Sequence, residues 1–182
     1  MTIQTFLDTI ATPELQVIGG HWQTARGARA MPAWSDIDPV AIGRSLRYVW
    51  SWKYDRTAET FTGRLAGEDI VRAFGKSPRG MPMAEFFSPE VYKTFYPWHR
   101  RVVLEPACMR NSGMIYNNLG RNFTGERIML PLAEDGSHGD GILGATVYRL
   151  LPDVGMQDES PQEAGDEQIT FFPIGPATDA WL

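Results

Sequence analysis

At 182 residues, 43% hydrophobic and 21% charged, the chain has the size and composition of one ordinary soluble domain with extensions at its ends. Cys108 is the lone cysteine, which excludes an intrachain disulfide framework and a thiolate zinc site and points to a reducing, cytoplasmic setting. A net charge of -5 argues against nucleic acid as the main partner, and no window reaches the length of a membrane span or forms a secretory leader.

Pro13 to Arg29 has helical spacing at Leu15, Ile18, Trp22 and Ala25 behind a Thr12-Pro13 start, with Gly19 and Gly20 as weak points. Its apolar stripe serves either its own domain or a dimer contact. Asp38-Pro39 opens a short helix over Val40 to Arg44, with the carboxylate as its cap. In LRYVWSWKYD the residues Leu46, Tyr48, Trp50, Trp52 and Tyr54 alternate with Arg47, Val49, Ser51 and Lys53, which predicts a strand with an aromatic face. FTGRLAG returns as the second strand of a hairpin, Glu68 to Phe74 forms a short helix ended by Gly75, and KSPRGMPMAEFF makes an ordered loop with one helical turn.

Ser88, Pro89 and Glu90 begin a long helix whose buried stripe is Val91, Phe95, Trp98 and Val102, with a kink expected at Pro97. Strands follow over Cys108 to Asn117, Asn122 to Leu132 and Gly141 to Leu151, separated by the turns LGRN and AEDGSHGD. Two strands, a run of helices and three strands exclude a parallel repeat, so the class is α+β. Beyond Arg149 there are seven acids and no Lys or Arg, so the acidity belongs to the tail. Pro152 to Gly165 is an acidic linker, and ITFFPI (169–174) is apolar enough to require docking, on this sheet or on a neighbouring molecule.

This order of elements, together with Asp38-Pro39, Arg64-Leu65-Ala66-Gly67, Gly75 with Gly80, and Leu130-Pro131-Leu132, resembles a bacterial family of stand-alone PAS-like domains over roughly residues 20 to 151. The resemblance implies a five-stranded antiparallel sheet with helices on one face, preceded by an N-terminal helical extension (1–30) and followed by the tail (152–182), with the domain itself spanning 31–151. It further implies a sensory or protein-interaction module, with no enzymatic activity, that holds a small ligand in the cleft between sheet and helices or keeps that cleft filled. Any output then passes to a protein partner in trans, and a homodimer is expected.

The residues expected to converge on the cleft are Trp50, Trp52, Phe74, Met83, Phe87, Tyr92, Phe95, Met114, Tyr116 and Met129, joined by Met81 and Phe86, a wall suited to a flat or oily ligand and equally to a filled core. Two polar side chains complete the candidate site. Arg64 holds a carboxylate or phosphate if it points inward, and pairs with Glu68 or Asp69 if it does not. His99 borders the buried stripe of the long helix, where haem-binding relatives carry their axial histidine, so it is the candidate haem ligand, with a core-edge hydrogen-bonded histidine as the alternative. Cys108 lacks the motif of the light-sensing relatives and is expected to be a buried apolar thiol. No zinc-protease, nucleophile-elbow or phosphate-loop motif occurs. The alternatives to a sensor are an oligomerising scaffold with a filled core, and an enzyme using Arg64 to hold an organic acid and His99 as base.

Overall fold

Our computed structural model describes residues 3–115, 123–150 and 167–174. Six antiparallel strands form one sheet in the order β2-β1-β5-β4-β3-β6: β1 (Val49–Asp55), β2 (Thr60–Ala66), β3 (Ala107–Ile115), β4 (Phe123–Leu132), β5 (Gly141–Leu150) and β6 (Gln168–Pro173). The sixth strand is the ITFFPI segment. It pairs antiparallel with β3, Cys108 opposite Phe172, and so docks on the chain's own sheet. The expected count of five therefore rises by one, because an apolar stretch beside an open edge gains both backbone partners and burial there.

The helices are α1 (Ile3–Thr9), α2 (Pro13–Arg26), α3 (Pro39–Ile42), α4 (Glu68–Phe74), α5 (Met83–Phe86) and α6 (Pro89–Leu104). The caps read from the sequence at Asp38 and Ser88 are present, accepting from the amides of Val40 and Val91. Helix α6 passes through Pro97, which is exposed, so the missing amide donor faces water and the helix continues. The first strand starts at Val49, because Gly43 to Tyr48 closes into a 3-10 turn that takes up Leu46, Arg47 and Tyr48.

Both faces of the sheet are covered. Trp50, Trp52, Tyr54, Phe61, Met109, Met129 and Ile142 face α4, α5 and α6. Val49, Cys108, Ile128, Leu130, Leu143 and Ala145 face Phe6, Leu15, Ile18 and Trp22 from α1 and α2, and Ile10 from the link between them. The N-terminal helices thus pack on their own domain, and helices on one face is corrected to helices on both. Gly19 lies where α1 packs on α2, and a Cβ there would stand 2.9 Å from Leu7 Cδ2 of α1. The Trp22 indole fixes α2 to the sheet by donating to the Pro131 carbonyl at 2.9 Å.

Helix α2 has no side-chain cap of its own; Glu126 of β4 stands in for one. Its carboxylate accepts from the amides of Ala11 (3.1 Å) and Thr12 (2.8 Å) and pairs with Arg110. Burial raises the Glu126 pKa, but the hydrogen bonds from Thr12, Ala11 and Arg110 outweigh it, so the carboxyl is held below its ordinary value.

Candidate functional site

Between the sheet and the α4–α6 layer lies a cavity of about 30 Å³ bordered by Trp50, Trp52, Ile70, Phe74, Pro78, Phe86, Phe87, Phe95, His99 and Arg127. Strand alternation sends Trp50 and Trp52 to this side, and Trp50 of β1 stands opposite Gly144 of β5. A Cβ at Gly144 would sit 2.3 Å from the Trp50 ring, so the indole lies flat over the strand.

His99 projects from α6 into this wall and is 2% exposed, with ring centroids 5.4 Å from Trp50 and 5.7 Å from Phe61. The Phe95 carbonyl can only accept, so Nδ1 carries the proton and donates across 2.7 Å. Nε2 is then an acceptor, buried and without a hydrogen-bond partner. Burial first, opposed by the bond to Phe95 and reinforced by the charge of Arg127, pushes the imidazole pKa down to about 3, so the ring is neutral at any ordinary pH.

Arg127 comes from β4 and is also 2% exposed. Its Nε donates to Thr146 Oγ1 at 3.3 Å, the same oxygen that accepts from the Trp50 indole at 2.9 Å, and its guanidinium lies 4.9 Å above the Phe95 ring. A cation and a neutral imidazole acceptor therefore share one small aromatic-walled space.

Of the expected site residues, Trp50, Trp52, Phe74, Phe87, Phe95 and His99 line this cavity, and Phe86 with them. Met83, Met129, Met81 and Tyr92 belong to the apolar cluster around it without bordering the space. Tyr116 lies outside the described residues. Met114 shares alternation with Cys108 and Arg110 and so takes the α2 side of the sheet.

Arg64 is not brought into the cleft. A bulge pairs Ser51 with Leu65 but Trp52 with Gly63, which leaves Arg64 as the extra residue. Its exposed guanidinium stacks 4.3 Å above Trp34 on the α2 side. With the sheet between Arg64 and His99, the arrangement of Arg64 as substrate holder and His99 as base does not form.

Arg127 was missed because GERIM looks like a strand with one wet face. The available signal was that β4 is apolar at both parities from Ile128 to Leu132, so the strand is buried on both sides and its charges must be buried too. The cavity also decides against haem. The His99 donor set suits an axial ligand, since Nε2 is bare and Nδ1 is oriented by a carbonyl. About 30 Å³ holds a water or two, however, and a porphyrin does not fit among these rings.

Asp135, Ser137 and His138 form a second polar cluster, in the exposed β4–β5 turn. Ser137 Oγ and Asp135 Oδ2 both meet the same ring nitrogen, Nδ1 of His138, at 2.9 and 2.7 Å, so they close a turn rather than a proton relay. Among the described residues no group of His, Cys, Asp and Glu could hold a metal ion, and no helix is long and apolar enough to cross a membrane.

A family model described as PAS domain matches residues 10–147, most of the chain. No curated protein and no solved structure matches it.

Proposed function

The chain belongs to the PAS domain family, and from that premise we propose that it is a sensor whose cleft under α4–α6 takes a small ligand and whose state is read in trans by a protein partner. The observation that carries this reading is His99 Nε2. A buried acceptor without a partner costs about 1–3 kcal/mol, and a phenyl ring would fill the same aromatic surroundings without that cost. Such a group gains its partner when a ligand arrives.

The ligand acts by favouring one arrangement of the layer over the cleft, and shifts that equilibrium only by its differential affinity for the two arrangements. The mobile part of this reading is the α4–α5 stretch, whose links to the edge of β2 are two isolated bridges, Thr62 with Pro82 and Gly63 with Arg79. Working as a homodimer in the cytoplasm belongs to the same proposal.

The competing reading is a ligand-free oligomerising scaffold, favoured by the small volume of the cavity. Native mass spectrometry of protein purified from its source separates the two. A co-purifying small molecule, lost in Arg127→Gln, supports the sensor; a clean dimer with no bound mass, and no thermal shift across a metabolite library, supports the scaffold.

A further inference from the structure

Granted the homodimer of the proposed function, we infer that its interface is the outer edge of β6, where a second copy of this chain adds its own β6 antiparallel across a twofold axis.

The two edges of the sheet differ. At the β2 edge the α4–α5 stretch closes the strand: Gly63 donates to the Met81 carbonyl at 2.9 Å and accepts from the Gly80 amide at 2.8 Å. At the β6 edge, among the described residues, no backbone pairs beyond the strand. The Ile174 amide donates to the Pro106 carbonyl at 2.8 Å, so Phe172, Thr170 and Gln168, at every second position, also turn their peptide groups to β3. The amides and carbonyls of Ile169 and Phe171 therefore face outward, an open template for another strand. Pro173 shares that outward parity and offers a carbonyl with no donor.

An antiparallel edge is its own complement, as a twofold interface requires. With Thr170 on the axis opposite its copy, Ile169 lies opposite the partner's Phe171, and their outward amides and carbonyls satisfy one another. A slip of two residues one way sets Ile169 against Pro173, which has no amide to give. The opposite slip carries Phe171 beyond the start of the partner's β6.

The side chains agree with this register. Ile169 and Phe171 are half-buried on the α6 side, where Trp98 and Leu104 are also only partly covered, and each Ile169 meets a Phe171 across the axis. The Arg101 guanidinium sits 4.1 Å above Phe171, and Glu167 of the partner lies diagonally across from that ring on the same face. Arg101 also meets Glu105, and Glu167 accepts from Asn111, so this complementarity selects the register more than it adds affinity.

The area sets the strength. Helix α1 flanks β6 on one side, through Phe6 against Phe172, and α6 on the other. A six-residue strand is about 20 Å long and the strip between its two helices about 25 Å across, so the pair buries about 1,000 Å² in all. That is the lower limit for a specific interface, which makes the dimer reversible, with a Kd of micromolar order.

The test is sedimentation equilibrium of the full chain over a range of concentrations, with non-reducing electrophoresis of cysteine variants after mild oxidation. Wild type is expected to dimerise reversibly and to form no disulfide, since Cys108 is buried. Exposed Thr170→Cys should give a disulfide-linked dimer, because the two positions face each other on the axis. Exposed Gln168→Cys, on the same face but off the axis, should not. Ile169→Lys, which sets a cation beside the partner's Arg101, should weaken dimerisation at least tenfold with an unchanged circular dichroism spectrum; should it not fold, the wild-type and cysteine results decide alone. A dimer in which Thr170→Cys forms no disulfide, or which a folded Ile169→Lys leaves intact, overturns this interface and leaves the homodimer to another surface. Gln168→Cys cross-linking as readily overturns it too. A monomer at all concentrations overturns both interface and homodimer and does not touch the ligand reading, which the co-purifying mass tests.

Discussion

Acid should weaken this fold through one side chain. The His99 imidazole titrates near 6.5 when unfolded and at about 3 when buried, so between those values the unfolded chain binds a proton that the folded one refuses. The contribution is therefore full above about pH 6.5 and is lost as pH falls toward the folded value, at about 1.4 kcal/mol per unit. At about pH 5 the loss attributable to His99 is about 2 kcal/mol. The Glu126 carboxyl, already held below its ordinary value, adds little in this window and weakens the fold only under more acidic conditions. Urea denaturation of wild type and His99→Phe, at several pH values on either side of the unfolded pKa, isolates the effect. The variant should be at least as stable as wild type at neutral pH, because a phenyl ring suits the surroundings of Trp50, Phe61 and Phe95 and carries no unpartnered acceptor, and its stability should be nearly flat down to about pH 5. Equal pH dependence in the two proteins, or a His99 ring proton that titrates near 6.5 by NMR, would refute the reasoning.

Gly144→Ala should cost about 1–3 kcal/mol, since the new methyl meets the Trp50 ring and drives the indole toward the cavity; unchanged near-UV circular dichroism would show that Trp50 does not depend on that space. Glu126→Ala should cost about 3 kcal/mol, the low end for a buried pair because Arg110 keeps contact with water. The loss should appear in hydrogen exchange as faster exchange of the Ala11 and Thr12 amides, and their protection in the variant would count against the clamp. Phe172→Ala removes a ring that is 6% exposed and meets Phe6 edge-on at 5.3 Å, at a cost of about 3 kcal/mol. It should also speed labelling of Cys108, whose thiol burial pushes well above its ordinary pKa; an unchanged labelling rate would mean that β6 is not what shields it.

The alternation of aromatic residues from Trp50 to Tyr54, the Ser88-Pro89 start of α6 and the apolar 169–174 segment were legible because each is a local pattern with one physical solution. The cleft wall followed from them, since alternation and helical spacing decide which side a ring takes. Arg64 was misplaced because a bulge puts Arg64 and Leu65 together on the α2 side and shifts the alternation, so that Phe61 and Ala66 both face the cleft, and nothing in FTGRLAG distinguishes a bulged strand from a regular one. Helix α1 went unread because its seven residues carry a single fully buried side chain, Phe6, too little for a period. Glu126 and Arg127 were passed over because adjacent charges in a strand ordinarily mean that one faces water. In β4 neither does, a consequence of helices on both sides of the sheet that depends on contacts remote in sequence.

Those two residues are neighbours in the chain and serve opposite compartments: the guanidinium of Arg127 lines the cleft, while the carboxylate of Glu126 holds the start of α2. A single peptide unit joins them. That unit is laddered to β3 on one edge and to β5 on the other, so the two side chains share one backbone anchorage. A substitution that moved the strand at either position would be felt on both faces of the sheet.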